Sequence, residues 1–155
     1  GGMAAMGIHL IDAMISVLGP VKAVQCINKN NALKNLDIDD TTSVQLWFVS
    51  GATGYISTLM ATASLWRLHL FGSKAWVQMN GQNEIITSFI NQKPKTKQFS
   101  DANIERLELE SFAQSILNPI SYPVSEEEVL NGVSTFEAIS KSIKENGSKV
   151  LTSEI

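Results

Sequence analysis

The pattern of apolar and polar positions divides the chain into an apolar opening, an alternating middle and a closing part with helical spacing. Residues 3–18 are mostly apolar and read as a helix that Gly19 and Pro20 end. Positions three or four apart share a helical face, so Ala5, His9 and Asp12 fall on one stripe. A neighbouring stripe is predicted to enter the core: Met6, Leu10, Met14 and Leu18.

The middle of the chain alternates with period two, which is typical of β-strands. The turns between these segments are short and predict antiparallel neighbours, because a parallel pair needs a longer crossover. Asn80-Gly81 is a strong hairpin signal. The predicted strands are residues 21–28, 42–50, 55–65, 66–71, 75–79, 84–90 and 95–99.

Two helices are predicted near the end of the chain, followed by a short strand at 149–151. The first covers residues 102–117 and ends at Asn118-Pro119. The second begins at Ser125, where Ser125 and Glu128 form a capping-box pattern, and stops at Asn146-Gly147. Their predicted inward faces are Leu109, Phe112, Ala113, Ile116 and Leu117, then Val129, Val133, Phe136, Ile139 and Ile143.

These elements predict an α+β fold in which residues 1–155 form one domain around a mostly antiparallel, open sheet. Helices cover one face and leave the other available for oligomerisation. Large apolar side chains are expected on both faces, so a second subunit or domain should cover the free one. The residues behind this expectation are Trp47, Tyr55, Trp66 and Trp76.

The composition is that of an ordinary globular protein, with 155 residues, 44% apolar residues and a net charge of −3. We therefore expect neither nucleic acid nor a membrane as a partner. The single cysteine, Cys26, falls in an apolar strand pattern and excludes an intrachain disulfide, so the cytoplasm is the expected compartment. An alternating lysine group is either a solvated strand face or a patch for an anionic ligand: Lys93, Lys95 and Lys97.

Few segments have the pattern of a known binding loop. Residues 51–54 and 72–74 contain glycine but do not join a strand to a helix, so we interpret them as turns. A cluster of acidic residues could attract a cation, or it could be a solvated loop in which Asp40 closes onto the following strand: Asp37, Asp39 and Asp40. Because no paired-cysteine or HExxH pattern occurs, no metal site is expected.

His9 and Asp12 are the remaining candidates, and two interpretations stay open. His9 could be a core histidine that is hydrogen-bonded to Asp12 or to a backbone carbonyl. Alternatively, His9 could be an acid/base or a ligand of a substrate hydroxyl, because its ordinary pKa lies near neutrality. Asp12 would then orient His9 or bind a second hydroxyl. His69 lies inside a strand pattern and is interpreted as a structural residue of the sheet.

The first 21 residues resemble the start of a known domain. The matching positions are Gly1, Gly2, Gly7, His9 and Asp12, followed by Leu18-Gly19-Pro20-Val21. The known domain is the C-terminal domain of the glucose-fructose oxidoreductase / inositol dehydrogenase (Gfo/Idh/MocA) family. The similarity continues over nearly the whole chain, at residues 39–41, 48–54, 70–76 and 110–116 and in the capped last helix.

The resemblance implies an N-terminal Rossmann domain, absent from this chain, that binds NAD or NADP and supplies a general-base lysine. No cofactor is then expected for this chain alone. The resemblance also implies hydride transfer at a hydroxyl of a sugar, cyclitol or related compound, and an open sheet that makes dimer or tetramer contacts. His9 falls on the family's catalytic histidine, and Asp12 falls on a carboxylate that often contacts substrate or supports that histidine.

Ala5 departs from the family pattern, which usually has an aspartate four residues before the histidine. One hypothesis is a substrate-binding and dimerisation domain of an NAD(P)-dependent oxidoreductase, inactive without its Rossmann domain. The alternative is a non-catalytic ligand-binding or assembly member of the same family, since an alanine side chain cannot assist proton transfer. The sequence leaves open which one applies.

Overall fold

The computed structural model describes residues 1–36, 38–118 and 122–153. The fold is α+β, with antiparallel open sheets, as predicted. The chain forms two compact units, Gly1–Thr62 with Pro123–Ile155, and Ala63–Tyr122. That residues 1–155 act as one domain stays a prediction. The elements are a π-helical turn Met3–Gly7, α1 Ile8–Leu18, β1 Val21–Lys29, β2 Thr41–Phe48, β3 Thr53–Leu59, β4 Arg67–Phe71, β5 Ala75–Asn80, β6 Glu84–Phe89, β7 Lys95–Gln98, α2 Ile104–Leu117, α3 Glu126–Lys144 and β8 Val150–Leu151.

Two four-stranded sheets replace the single sheet expected from the sequence. The first has the order β3-β2-β1-β8, and the second has the order β4-β5-β6-β7. β3 ends at Leu59, although the alternating pattern continues to residue 65. Residues 60–66 form bends and irregular backbone instead, so the strands that follow pair with one another through local hairpins.

The first unit contains the hydrophobic core. β2 alternates strictly, with Thr42, Val44, Leu46 and Phe48 buried. α3 lies against β1, and α1 lies against α3, so helices cover the inward face of this sheet. Cys26 is fully buried in β1 as predicted, and burial raises the pKa of its thiol to about 11. The thiol therefore stays protonated and is a packing residue.

The inward stripe of α1 differs from the prediction. The buried residues of α1 are Ile11, Met14 and Ile15. Met14 is the one member of the predicted stripe among them, and Met6 is 51% exposed. The π-helical turn before α1 changes the rotation of the helix, because the Ile8 amide donates to the Met3 carbonyl five residues back. A count of 3.6 residues per turn therefore misplaces Met6, whereas within α1 the buried residues keep regular helical spacing.

α3 buries small residues rather than its large aliphatic ones. Val129 and Val133, predicted to face inward, are more than half exposed. Ile139 is buried as predicted. Small side chains allow the helix to approach β1 closely enough for the Ser142 hydroxyl to accept the Cys26 amide at 2.8 Å. The buried residues of α3 are Gly132, Ser134, Thr135, Ala138, Ile139 and Ser142.

The second unit has no comparable core. Among residues 63–118 and 122, Ser88 is the one buried side chain. Residues of α2 that were predicted to face inward, such as Leu109, Phe112 and Ile116, are more than half exposed. Pro119, the predicted end of this helix, lies outside the described residues. No helix in the described part of the chain is long and apolar enough to cross a membrane.

Candidate functional site

The glycines of the opening segment allow the start of the first helix to lie against β3. A methyl group on Gly2 would stand 3.2 Å from Cγ of Met60 and 3.3 Å from Cβ of Thr58. A methyl group on Gly7 would stand 3.2 Å from Cγ2 of Thr58 and would overlap the thioether of Met3. Because these distances are tighter than ordinary packing, a larger residue at either glycine would require the helix or its neighbours to shift. The glycines thus fix the position of the turn that precedes His9.

His9 is the second residue of α1 and directly follows the π-helical turn. Its side chain is exposed, which contradicts the interpretation as a core histidine. Within residues 1–36, 38–118 and 122–153, no hydrogen bond or ion pair joins His9 to Asp12. π-helical turns are rare and often occur at functional sites, where they change the direction of nearby side chains. His9 is therefore available to a ligand rather than engaged in the fold.

Asp12 lies close to α3, although the residue as a whole is exposed. Its Oδ1 stands 2.9 Å from the position that a methyl group on Gly132 would occupy. Partial burial raises the pKa of this carboxyl, and the nearby His9 acts in the opposite direction. One oxygen is thus packed against a helix while the group stays open to water, as suits a carboxylate that meets a ligand.

Ala5 is exposed in the π-helical turn, on the segment that leads to His9. The resemblance noted from the sequence implies a carboxylate at this position. The methyl side chain has no donor or acceptor, so in this structure the titratable groups of the stripe are His9 and Asp12.

Asp40 is buried and organises the loop between β1 and β2 that precedes it, so the predicted closure onto the following strand is limited to one bond from the Thr41 hydroxyl. Its carboxylate accepts the backbone amides of Asn31, Ala32 and Leu33 at 2.6 to 3.1 Å. These bonds hold the pKa of Asp40 far below its ordinary value, with a further bond from the Thr41 hydroxyl. Asp37 lies outside the described residues. In the part of the chain that is described, no group of three or more His, Cys, Asp or Glu residues could hold a metal ion.

The second unit contains the other histidine and a small cavity. His69 lies in β4, as predicted, with its ring 3.9 Å from that of Phe71 and 5.1 Å from that of Trp76. Burial lowers its pKa, and the charge of Arg67 adds to this effect. A cavity of about 160 Å³ in this unit contains none of the predicted site residues. It is lined by Phe71, Gly72, Ala75, Trp76, Ser88, Phe89 and Ile90.

Residues 72–74 form a turn as expected, whereas the turn predicted at 51–54 is shifted, because Thr53 and Gly54 already belong to β3. Residues 49–52 connect β2 to β3, and residues 72–74 connect β4 to β5. Sequence reasoning missed two residues that shape the site, Thr58 below the glycines and Gly132 beside Asp12. Gly132 carries a visible signal, since glycine is unfavourable inside a helix and needs a compensating reason. Thr58 carries none, because a threonine in a strand is unremarkable.

Comparison with known proteins places the chain in a family of oxidoreductase domains. The model of the GFO/IDH/MocA C-terminal domain matches residues 1–78, which include His9 and Asp12. A search among curated proteins gave no match.

Solved structures with the same fold include three oxidoreductases. A putative NADPH-dependent oxidoreductase from Desulfitobacterium hafniense is 22% identical, with a TM-score of 0.82 over 97% of this chain and 48% of that protein. An aldose-aldose oxidoreductase from Caulobacter crescentus, solved with glycerol, is 20% identical, with a TM-score of 0.83 over 97% and 47%. A levoglucosan dehydrogenase complex with NADH is 18% identical, with a TM-score of 0.82 over 100% and 51%. The chain therefore spans about half the length of each.

Proposed function

This chain belongs to the GFO/IDH/MocA family as a C-terminal domain, and from this premise we propose that it binds the substrate of an NAD(P)-dependent oxidoreductase. The substrate class is a sugar, a cyclitol or a related hydroxyl compound. The observation that carries the proposal is the exposure of His9, which is directed by a π-helical turn and stands one helical turn from a partly buried carboxylate.

His9 is the proposed acid/base. Oxidation of an alcohol to a carbonyl removes a hydride from carbon and a proton from the hydroxyl. The nicotinamide supplies the hydride chemistry when bound, and His9 accepts or returns the proton. Histidine is the side chain that most often performs this proton transfer in enzymes.

Asp12 is the proposed second contact to the substrate. Its partly buried carboxylate can accept a hydrogen bond from a hydroxyl, or it can hold His9 in one orientation when a ligand closes the site. The cofactor itself is expected on another part of the protein. The turns at 49–52 and 72–74 connect strand to strand, and they do not fit the strand-to-helix turn that holds a dinucleotide phosphate.

The relatives support this substrate class. One solved complex is of levoglucosan dehydrogenase with NADH and L-sorbose, and another is of an aldose-aldose oxidoreductase with glycerol. A polyhydroxylated small molecule is accordingly the proposed ligand here.

We also propose that the protein forms a homo-oligomer, a dimer or tetramer, through a sheet face. The single buried cysteine suggests a cytoplasmic location.

The test of this proposal is turnover by the full-length protein that contains this chain. Glucose, myo-inositol, L-sorbose and glycerol would each be assayed with both NAD and NADP, in the direction of oxidation or reduction that each compound allows. We expect His9→Ala to lower kcat about 100-fold or more on the best substrate, since a positioned acid/base contributes roughly that factor. His69→Gln, which changes the other histidine, is the matched control and should keep kcat within about threefold. Wild-type turnover by His9→Ala would refute the role of His9.

A non-catalytic member of the family is the second candidate, and Ala5 is the observation that favours it. In that case the site at His9 and Asp12 binds a ligand or partner without turnover. Ala5→Asp would restore the missing carboxylate at an exposed position. If this variant gains at least tenfold in kcat/KM, the wild type is a weakened enzyme. Ligand binding without turnover by either protein would support the non-catalytic function.

A further inference from the structure

We propose that Gly132 of α3 is a positioning residue for the candidate site. Because Gly132 has no side chain, the carboxylate of Asp12 can lie directly against α3. This inference rests on the proposed function. Gly132 lies on a different helix from His9 and Asp12, and no motif in the sequence connects it to them.

Gly132 occupies a position where alanine would be better for the helix. It is the seventh residue of the nineteen-residue α3, far from both caps. Glycine at such a place lowers helix stability relative to alanine, since its backbone loses more freedom on folding. The left-handed conformation that often justifies a glycine is absent, because Gly132 is not among the described residues with positive φ. Its backbone therefore gives no reason for glycine.

The reason lies in the space next to its Cα. The one atom that a Cβ at Gly132 would approach within 4 Å is Oδ1 of Asp12, at 2.9 Å. Real Cβ contacts are longer than this, so an alanine would displace the carboxylate. A carboxylate oxygen ends a short, rotatable side chain, and it can move away without disturbing the helix backbone. The substitution should consequently relocate Asp12 and leave the fold intact.

Three other glycines within helices and strands of the first unit behave differently. The missing side chains of Gly2, Gly7 and Gly54 are replaced by Met60, Thr58, Met3, Met14 and Phe48, which are packing residues. Larger residues at those glycines would disturb packing between elements. Gly132 is the one described helix-interior glycine whose nearest neighbour is a polar atom of the candidate site. A substitution of Gly132 should thus lower activity without lowering the stability of the fold.

The experiment is a double-mutant cycle in the full-length protein, with Gly132→Ala, Asp12→Ala and both together. Gly132→Ala should lower kcat/KM about 10- to 100-fold on the best substrate of the panel, since a shift of about 1 Å in a positioning group can cost that much. Its Tm should not fall. It should also change the same parameter, kcat or KM, as Asp12→Ala does. In the absence of Asp12, the added methyl should cause no further loss of activity.

Ser140→Ala is the matched control, because it also introduces alanine into α3 and its hydroxyl bonds only within that helix. It should leave kcat/KM unchanged. Equal activity of Gly132→Ala and wild type would overturn the proposal, and so would a loss that adds fully to that of Asp12→Ala.

The Tm values of the same four proteins separate this inference from the proposed function. The rise in Tm caused by Gly132→Ala should be larger without Asp12 than with it, because the methyl then enters free space. This readout needs no turnover. If the Tm effects of Gly132→Ala and Asp12→Ala are not additive but His9→Ala keeps full activity, the proposed function is refuted and the contact between Gly132 and Asp12 is confirmed. If the Tm gains are equal, the positioning role is refuted whatever the enzyme does.

Discussion

The two compact units bury their apolar residues very differently. The first contains every buried hydrophobic side chain of the described residues, from Met3 to Val150. In the second unit, the one buried side chain of the described residues is Ser88, in the sheet. Both units have four antiparallel strands, so pairing alone does not make a core. A sheet needs a covering layer to remove its apolar face from water, and α1 and α3 provide it in the first unit.

The candidate site lies entirely in the well-packed unit. His9 and Asp12 lie on α1, which also contributes Ile11 and Ile15 to the core. A rigid core behind the site keeps polar groups in place, which is what catalysis or selective binding requires. The second unit offers large exposed apolar side chains instead, such as Phe71 at 75% exposure. This surface is the kind through which the proposed oligomer would form.

The largest contrast should come from one substitution made in both units. Val44 and Val77 each occupy a central strand, and they are 0% and 37% exposed. Val44→Ala should lower the free energy of unfolding by about 2 to 3 kcal/mol, from lost burial plus a cavity. Val77→Ala should lower it by less than about 1 kcal/mol. Urea unfolding measures both, and equal losses would mean that the face carrying Val77 is covered in the intact protein.

The second contrast concerns carboxylates and pH. Asp40 is 2% exposed and accepts three backbone amides, whereas Asp101 of the second unit accepts one exposed amide from Asn83. The folded-state pKa of Asp40 is lowered, so its stabilising contribution is complete above the unfolded pKa of about 4 and is lost as pH falls below that value.

Asp40→Asn should therefore be clearly less stable than wild type at pH 7, with a difference that shrinks as the pH is lowered from 4 to 2. Thermal unfolding across this range is the measurement, and Asp101→Asn is the control that should match wild type throughout. A difference for Asp40→Asn that is independent of pH would show that charge is not what the loop amides require.

The smallest contrast concerns the N-caps of two helices. Ser125 caps α3 in a complete capping box, and Asn103 caps α2 by accepting the Arg106 amide. Ser125→Ala should cost about 1 kcal/mol of global stability, because α3 is part of the core. Asn103→Ala should loosen the start of α2 with little effect on global unfolding, since α2 buries no residue. Amide hydrogen exchange separates local from global opening, and a global cost at Asn103 would contradict the contrast.

Much of this fold could be predicted from the pattern of the chain. Strands, hairpin turns and the capping box follow from local rules that involve residues close in sequence. The inward faces of helices were harder to predict. Hydrophobicity favoured Val129 and Val133 of α3, yet the buried positions are small residues such as Ala138 and Ser142. Close approach to a strand selects small side chains, and this requirement is visible only when the partner is known.

The candidate site was predictable in part. His9 and Asp12 could be found because a histidine and an aspartate are unusual in an apolar helix and match a family motif. The π-helical turn, the exposure of His9 and the space at Gly132 depend on contacts with β3 and α3. These contacts join residues that are as much as 120 positions apart, from Asp12 to Gly132. Periodicity along the chain cannot supply such information.

The edge strand β7 has a further consequence for the behaviour of the protein at high concentration. It ends the second sheet, and all four of its residues are exposed. An open strand edge presents free amides and carbonyls that can pair with the same edge of another molecule and start aggregation. Lys95 and Lys97 lie on this edge, and Pro94 directly precedes it. Repulsion between lysines on two such edges, together with the missing proline amide, opposes pairing of β7 with another strand.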